Sequence, residues 1–124
     1  MNSKLTMGLR ILFGLFCILF GVNKFAGFMP MPEITGDGGT LMGIYVTSGF
    51  LSFIGVLEIL GGLALVANKF VPVALTFLTA IMLNAFIFHL LHDMAGIGGA
   101  ALGLGLSLAL VFLHKGRFSE FLRA

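Results

Sequence analysis

The chain has 124 residues, 59% hydrophobic and 10% charged, with a mean hydropathy of +1.13. A soluble domain carries about 25% charged residues, and a chain this short could not hide so much apolar surface in its own core, so lipid is the solvent for most of it. The net charge of +2 is too small to argue for nucleic acid. The single cysteine, Cys17, excludes an internal disulfide or a dithiol relay, and there is no G-x-x-x-x-G-K-S/T loop to hold a nucleotide phosphate.

The pattern predicts an all-α membrane protein, one domain over 1–124, with four spanning helices at 5–28, 50–67, 70–91 and 97–114. Each can supply about 18 to 24 residues, enough at 1.5 Å per residue to cross roughly 30 Å of hydrocarbon. The first span has only residues 11–23 between Arg10 and Lys24, a length that also fits a signal peptide. No small-x-small cleavage site follows, and apolar residues resume at Phe25, so it is read as an uncleaved helix. It carries a stripe of Arg10, Gly14, Cys17, Gly21 and Lys24 at spacings of 4, 3, 4 and 3. That places the small residues and both charges on one helical face, suited to a neighbouring helix, while the bulky faces suit lipid.

The segment 29–40, with Pro30, Pro32, Gly36, Gly38 and Gly39, reads as the longest irregular loop. Span two then begins near Phe50 or borrows its start from 41–49. Glu58 is the only charge from Thr40 to Asn68. A carboxylate at the centre of a single membrane helix costs roughly 2.5 kcal/mol or more, so such a residue is paired, protonated or functional. Gly55, Gly61 and Gly62 surround it and imply that it points into the bundle. Asn68 and Lys69 make a tight turn into span three, where Pro72 is tolerated in the first helical turn. In span four, 101–111 alternates small residues with Leu. A membrane barrel needs apolar–polar alternation in many strands, so helix is expected, with Gly99, Gly103 and Ser107 on one small face and Ala101, Gly105 and Ala109 on another.

Lysine and arginine set the orientation. The side shared by both termini and the turn between spans two and three holds Lys4, Arg10, Lys69, Lys115, Arg117 and Arg123. The other side holds only Lys24, beside Glu33, Asp37 and Asp93. Both termini are therefore expected in the cytoplasm. On that frame Glu58 lies about 12 Å below the outer end of its helix and Asn84 about 10 Å below the end of the next. His89 is nearer the surface, and Lys24 approaches the same layer from span one. The expectation is one polar site in the outer half, made of Lys24, Glu58, Asn84 and His89. Asn84 and His89, ~140° apart around a helix, need not share a cavity.

Each residue has a plainer role to weigh. Glu58 paired with Lys24 would fix helix register, Lys24 alone would snorkel to the interface, Arg10 would anchor the cytoplasmic boundary, and Asn84 would bond between helices. His89, His92 and Asp93 form H-x-x-H-D, a weak metal candidate through its i, i+3 histidines. No metal is expected there, since a histidine pair at a membrane boundary is ordinary. Cys17 reads as packing. Gly96-x-Gly98-x-x-Ala101 follows no strand and opens a membrane helix, so it is not a dinucleotide loop.

Three phrases together resemble the DoxX family: Leu9 and Arg10 leading through Gly14 to Gly21, Lys24 and Phe25; Glu58 followed by Gly61 and Gly62; and Asn84 to Phe88 and His89. Their order and spacing match along nearly the whole chain, including the proline-bearing loop and the Lys69 turn. The resemblance implies a small four-helix, multi-pass protein of the bacterial inner membrane. The family takes its name from subunits of a thiosulfate:quinone oxidoreductase, and related members are linked to redox maturation. The matching polar positions are Arg10, Lys24, Glu58, Asn84 and His89. This chain has no cysteine pair or haem ligand set to support thiosulfate chemistry alone.

Three functions then compete. In the first, a subunit or accessory protein of a membrane redox system holds a quinone or another small lipophilic molecule at Glu58. Glu58 and His89 would exchange protons with the headgroup, Lys24 would stabilise its anionic form, and partner proteins of the redox complex would dock alongside. In the second, the chain is a small proton-coupled transporter. In the third, it is a structural subunit of a membrane complex without its own chemistry.

Overall fold

The computed structural model describes residues 3–29 and 33–119. Pro30 and Pro32 of the predicted loop, and Arg123 of the charge count, lie outside the described residues. Every regular element among these residues is helical: α1 (Ser3–Ala26), α2 (Gly36–Thr47), α3 (Phe50–Ala67), α4 (Val71–His92), a 3₁₀ turn (Met94–Gly96), α5 (Ile97–Leu113) and a second 3₁₀ turn (Lys115–Phe118). Four stretches are long and apolar enough to cross a membrane, namely α1, α3, α4 and Met94–Leu113.

The four long helices close a ring in which α1 packs on α3 and α5, and α4 packs on the same two. Successive long helices run in alternating directions, so every neighbour in the ring is antiparallel. The closest pair is α1 with α3, and α1 and α4 face each other across the bundle. Phe13, Leu65, Leu75, Leu78 and Leu110 are fully buried, with Val71 and Phe118 beside them, so the apolar core sits in the half near the α3–α4 turn. The outward faces are Leu, Phe, Val and Ile, as at Leu12, Phe53, Leu60, Phe77 and Phe112, each more than half exposed. A contiguous apolar coat of that kind needs lipid around it.

Segment 36–47 differs from its expected role as loop and start of span two. It forms a helix of its own, α2, with Asp37 in its first turn, where the helix dipole favours an acid. Gly36 at φ +66° turns the chain into it, and Gly49 at φ +83° turns the chain out into α3. At 12 residues, about 18 Å, it is too short to span. It lies instead on the ends of α3 and α4: Tyr45 sits 5.1 Å from the Phe50 ring and 6.4 Å from Phe88, and a Cβ on Gly38 would fall 2.7 Å from His92 Cβ.

In α5 the two small faces part ways. Ala100, Gly103, Ser107 and Leu110 are buried, and a Cβ on Gly103 would meet Met82 Sδ at 2.6 Å. Gly99 and the Ala101–Gly105–Ala109 face are exposed. At the α3–α4 turn, Asn68 and Phe70 both take positive φ (57° and 54°), and the Lys69 amide bonds to the Ala64 carbonyl.

Candidate functional site: an intramembrane ion pair

The predicted stripe on α1 is its buried face: Arg10, Gly14, Cys17 and Gly21 are all buried, with Phe13. It meets α3 through two reciprocal glycine pairs. A Cβ on Gly14 would lie 2.9 Å from the Gly62 carbonyl oxygen, and one on Gly62 2.5 Å from that of Gly14. A Cβ on Gly21 would lie 2.8 Å from the Gly55 carbonyl, and one on Gly55 3.1 Å from that of Gly21. Seven residues separate the glycines on each helix, so the register is constant: each step along α1 is matched by one back along α3. Only glycine allows backbones to come this close.

That register sets the polar pair. Ser52 is level with Lys24, so Glu58 lies six residues, about 9 Å, further from the α2 end than Lys24. Side chains on a helix tilt toward its N-terminus. On antiparallel helices Lys24 and Glu58 therefore lean toward one another, and the two side chains span the gap. Lys24 Nζ is 2.5 Å from Glu58 Oε1. The carboxylate is 3% exposed and the lysine 20%, and no other donor among the described residues bonds to Oε1. Lys24 thus points into the bundle toward an anion, the reverse of snorkelling. Cys17, fully buried, lies at the level of Ile59 on the same face.

The remaining predicted site residues are elsewhere. Asn84 is exposed on α4, a helix that packs on α3 and α5 rather than α1, and bonds to no described residue. His89 is held at the α2 end, where Nδ1 is 3.1 Å from Asp93 Oδ2. Both pack over Gly96, whose added Cβ would lie 2.7 Å from each. The four-residue cluster expected from depth alone is therefore a two-residue pair, because depth says nothing of which way a helix face turns. His92 is exposed, and among the described residues no three His, Cys, Asp or Glu side chains converge as metal ligands.

Arg10 is neither part of the pair nor a free surface anchor. It is 7% exposed, and its Nη1 donates to the Leu65 carbonyl and, at 3.4 Å, to that of Val66. The guanidinium so caps the last turn of α3, adding to the Asn68 amide that bonds to the Leu65 carbonyl, at the helix end where the dipole favours a cation. The register places Val66 level with Arg10, so the same glycine pairs that align Lys24 with Glu58 deliver Arg10 to the helix end. Tyr45, the only tyrosine, belongs to no motif, and only the docking of α2 brings it between Phe50 and Phe88.

Compared with family models, curated proteins and solved structures, the chain has no match in any of the three.

Proposed function

We propose that this chain is a DoxX-like protein of the bacterial inner membrane, both termini cytoplasmic, that serves a quinone-linked redox system by holding the headgroup of a small lipophilic molecule at Lys24 and Glu58. The observation that carries this reading is the asymmetry of the pair. Glu58 is almost wholly enclosed about 12 Å from the α2 end of α3, while Lys24 keeps a fifth of its surface open on the flank of α1. A headgroup oxygen arriving from the bilayer can accept from the ammonium, and the freed carboxylate can hold or release a proton beside it. His89 has no part in this step, being engaged with Asp93. Electrons come from a partner protein of the redox system. The orientation draws on Arg10, Lys69, Lys115 and Arg117, which share one end of the bundle.

A rival reading draws on the glycine pairs that bracket the site: the ion pair would only lock the register of α1 on α3. Mass spectrometry of small molecules that co-purify in mild detergent separates the two, comparing wild type with Glu58→Gln. A near-stoichiometric isoprenoid quinone or other lipid in wild type, lost in a variant of equal helical content, is the result expected. Nothing bound to either protein would leave the register role.

A further inference from the structure

Asn84 occupies a position that a lone helical bundle does not explain. It lies eight residues from the end of α4 at His92 and thirteen from Val71, about 12 Å and 20 Å, well inside the hydrocarbon. Its amide carries two donors and an acceptor, yet it is exposed and bonds to no described residue. Lipid offers such a group nothing, and an unsatisfied amide at that depth costs free energy comparable to several lost contacts. Its surroundings on the helix differ from a plain lipid face. One turn toward Val71 is Ala80, also exposed, and a further turn brings Thr76. Thr76 Oγ1 donates to the Pro72 carbonyl at 2.8 Å, so its hydroxyl is satisfied within the helix. The line Thr76–Ala80–Asn84 is thus small enough for a second helix to approach, with one unmet polar group on it.

We propose that α4 is the two-fold interface of a homodimer, in which Asn84 of each copy bonds to Asn84 of the other. The membrane itself selects the partner. Two copies inserted in the same orientation are related by an axis along the bilayer normal, so a residue facing that axis meets its own counterpart at its own depth. An amide is self-complementary, with the carbonyl of one copy accepting from the NH₂ of the other and the reverse. No other residue exposed on α4 between Val73 and Leu91 carries an amide or a charge. The interface lies on a different helix from Lys24 and Glu58 and is independent of what they bind.

The test uses full-length protein in liposomes at high lipid-to-protein ratio, in a Cys17→Ala background. Ala80→Cys, one turn from Asn84 on the same exposed line and leaving the amide in place, should form a disulfide between copies, since a bond requires Cα atoms within about 7 Å. Leu19→Cys, at a similar depth on the outward face of α1, should not. Energy transfer between labelled copies should report a dimer for wild type and Asn84→Gln, weakened about five- to thirty-fold in Asn84→Leu. Monomeric wild type, cross-linking that is equal at Leu19, or an Asn84→Leu dimer of undiminished strength would each overturn the proposal.

Discussion

Lys24 illustrates how a membrane lysine is steered by its partner rather than by its distance from water. A lone lysine near a helix end reaches outward to the interface; here a carboxylate 9 Å deeper draws it inward, and the long stem makes the reach. Removing one member strands the other in a medium that solvates charge poorly. Glu58→Leu should therefore destabilise the bundle by about 3 kcal/mol, at the low end for a broken buried pair because Lys24 is partly open. Lys24→Met combined with Glu58→Leu should recover most of that loss, since apolar replacement of both charges removes the desolvation penalty. Unfolding in graded SDS followed by circular dichroism reads both, and a double variant no better than the single would show that packing rather than charge dominates. Arg10→Met should cost about 2 kcal/mol by the same measure, the worth of a charged hydrogen bond to a buried helix-end carbonyl. Arg10→Lys should restore only part, because a strongly hydrated ammonium on a flexible stem replaces the planar guanidinium that sets Nη1 against both carbonyls.

Among elements, the α1–α3 pair depends on what its glycines leave out. At Gly62 an added methyl would meet the Gly14 carbonyl at 2.5 Å, backbone that cannot swing aside. Gly62→Ala should therefore destabilise by about 1 to 3 kcal/mol, the range for overpacking, and loosen the Lys24–Glu58 contact with it. Gly105, by contrast, has nothing within 4 Å of an added Cβ, so Gly105→Ala should be neutral or stabilising by up to about 1 kcal/mol through helix propensity. The same unfolding assay compares the two. Much of this pair was legible in the sequence, since the 4-3-4-3 stripe needs only helical periodicity to be seen. The register was not, because it follows from which glycine of α1 meets which glycine of α3. Nor was α2 separable: its glycine-rich start, 36–40, reads as loop and its apolar remainder as the start of the spanning helix, until Gly49 is seen at φ +83°.

At the scale of the molecule, Lys4, Arg10, Lys69, Lys115 and Arg117 gather at one end of an antiparallel ring while Lys24 stands toward the other, the asymmetry on which the proposal of cytoplasmic termini rests. A membrane-impermeant maleimide should label Ser48→Cys in intact cells stripped of the outer envelope, and Gly116→Cys only after lysis. Both sites are exposed and at opposite ends of the bundle, while Cys17 is fully buried and stays silent. The reverse pattern would invert the topology and place Glu58 nearer the cytoplasm.

Composition and periodicity alone determined that this is a helical protein with four apolar spans, because lipid solvation and the rise of an α-helix are properties of single segments. They also marked Glu58, since the cost of a carboxylate in hydrocarbon needs no neighbour to be known. Which charge meets it was decided by the tertiary structure. Asn84 and Glu58 share a depth that the sequence shows, yet α4 packs on α3 and α5 and leaves Asn84 on an outward face, while α1 turns Lys24 onto Glu58. Arg10 likewise passed from surface anchor to helix cap only when α3 was seen to end beside it. Depth is set along a helix and can be counted. Facing is set between helices, by the glycine contacts that fix their rotation and register.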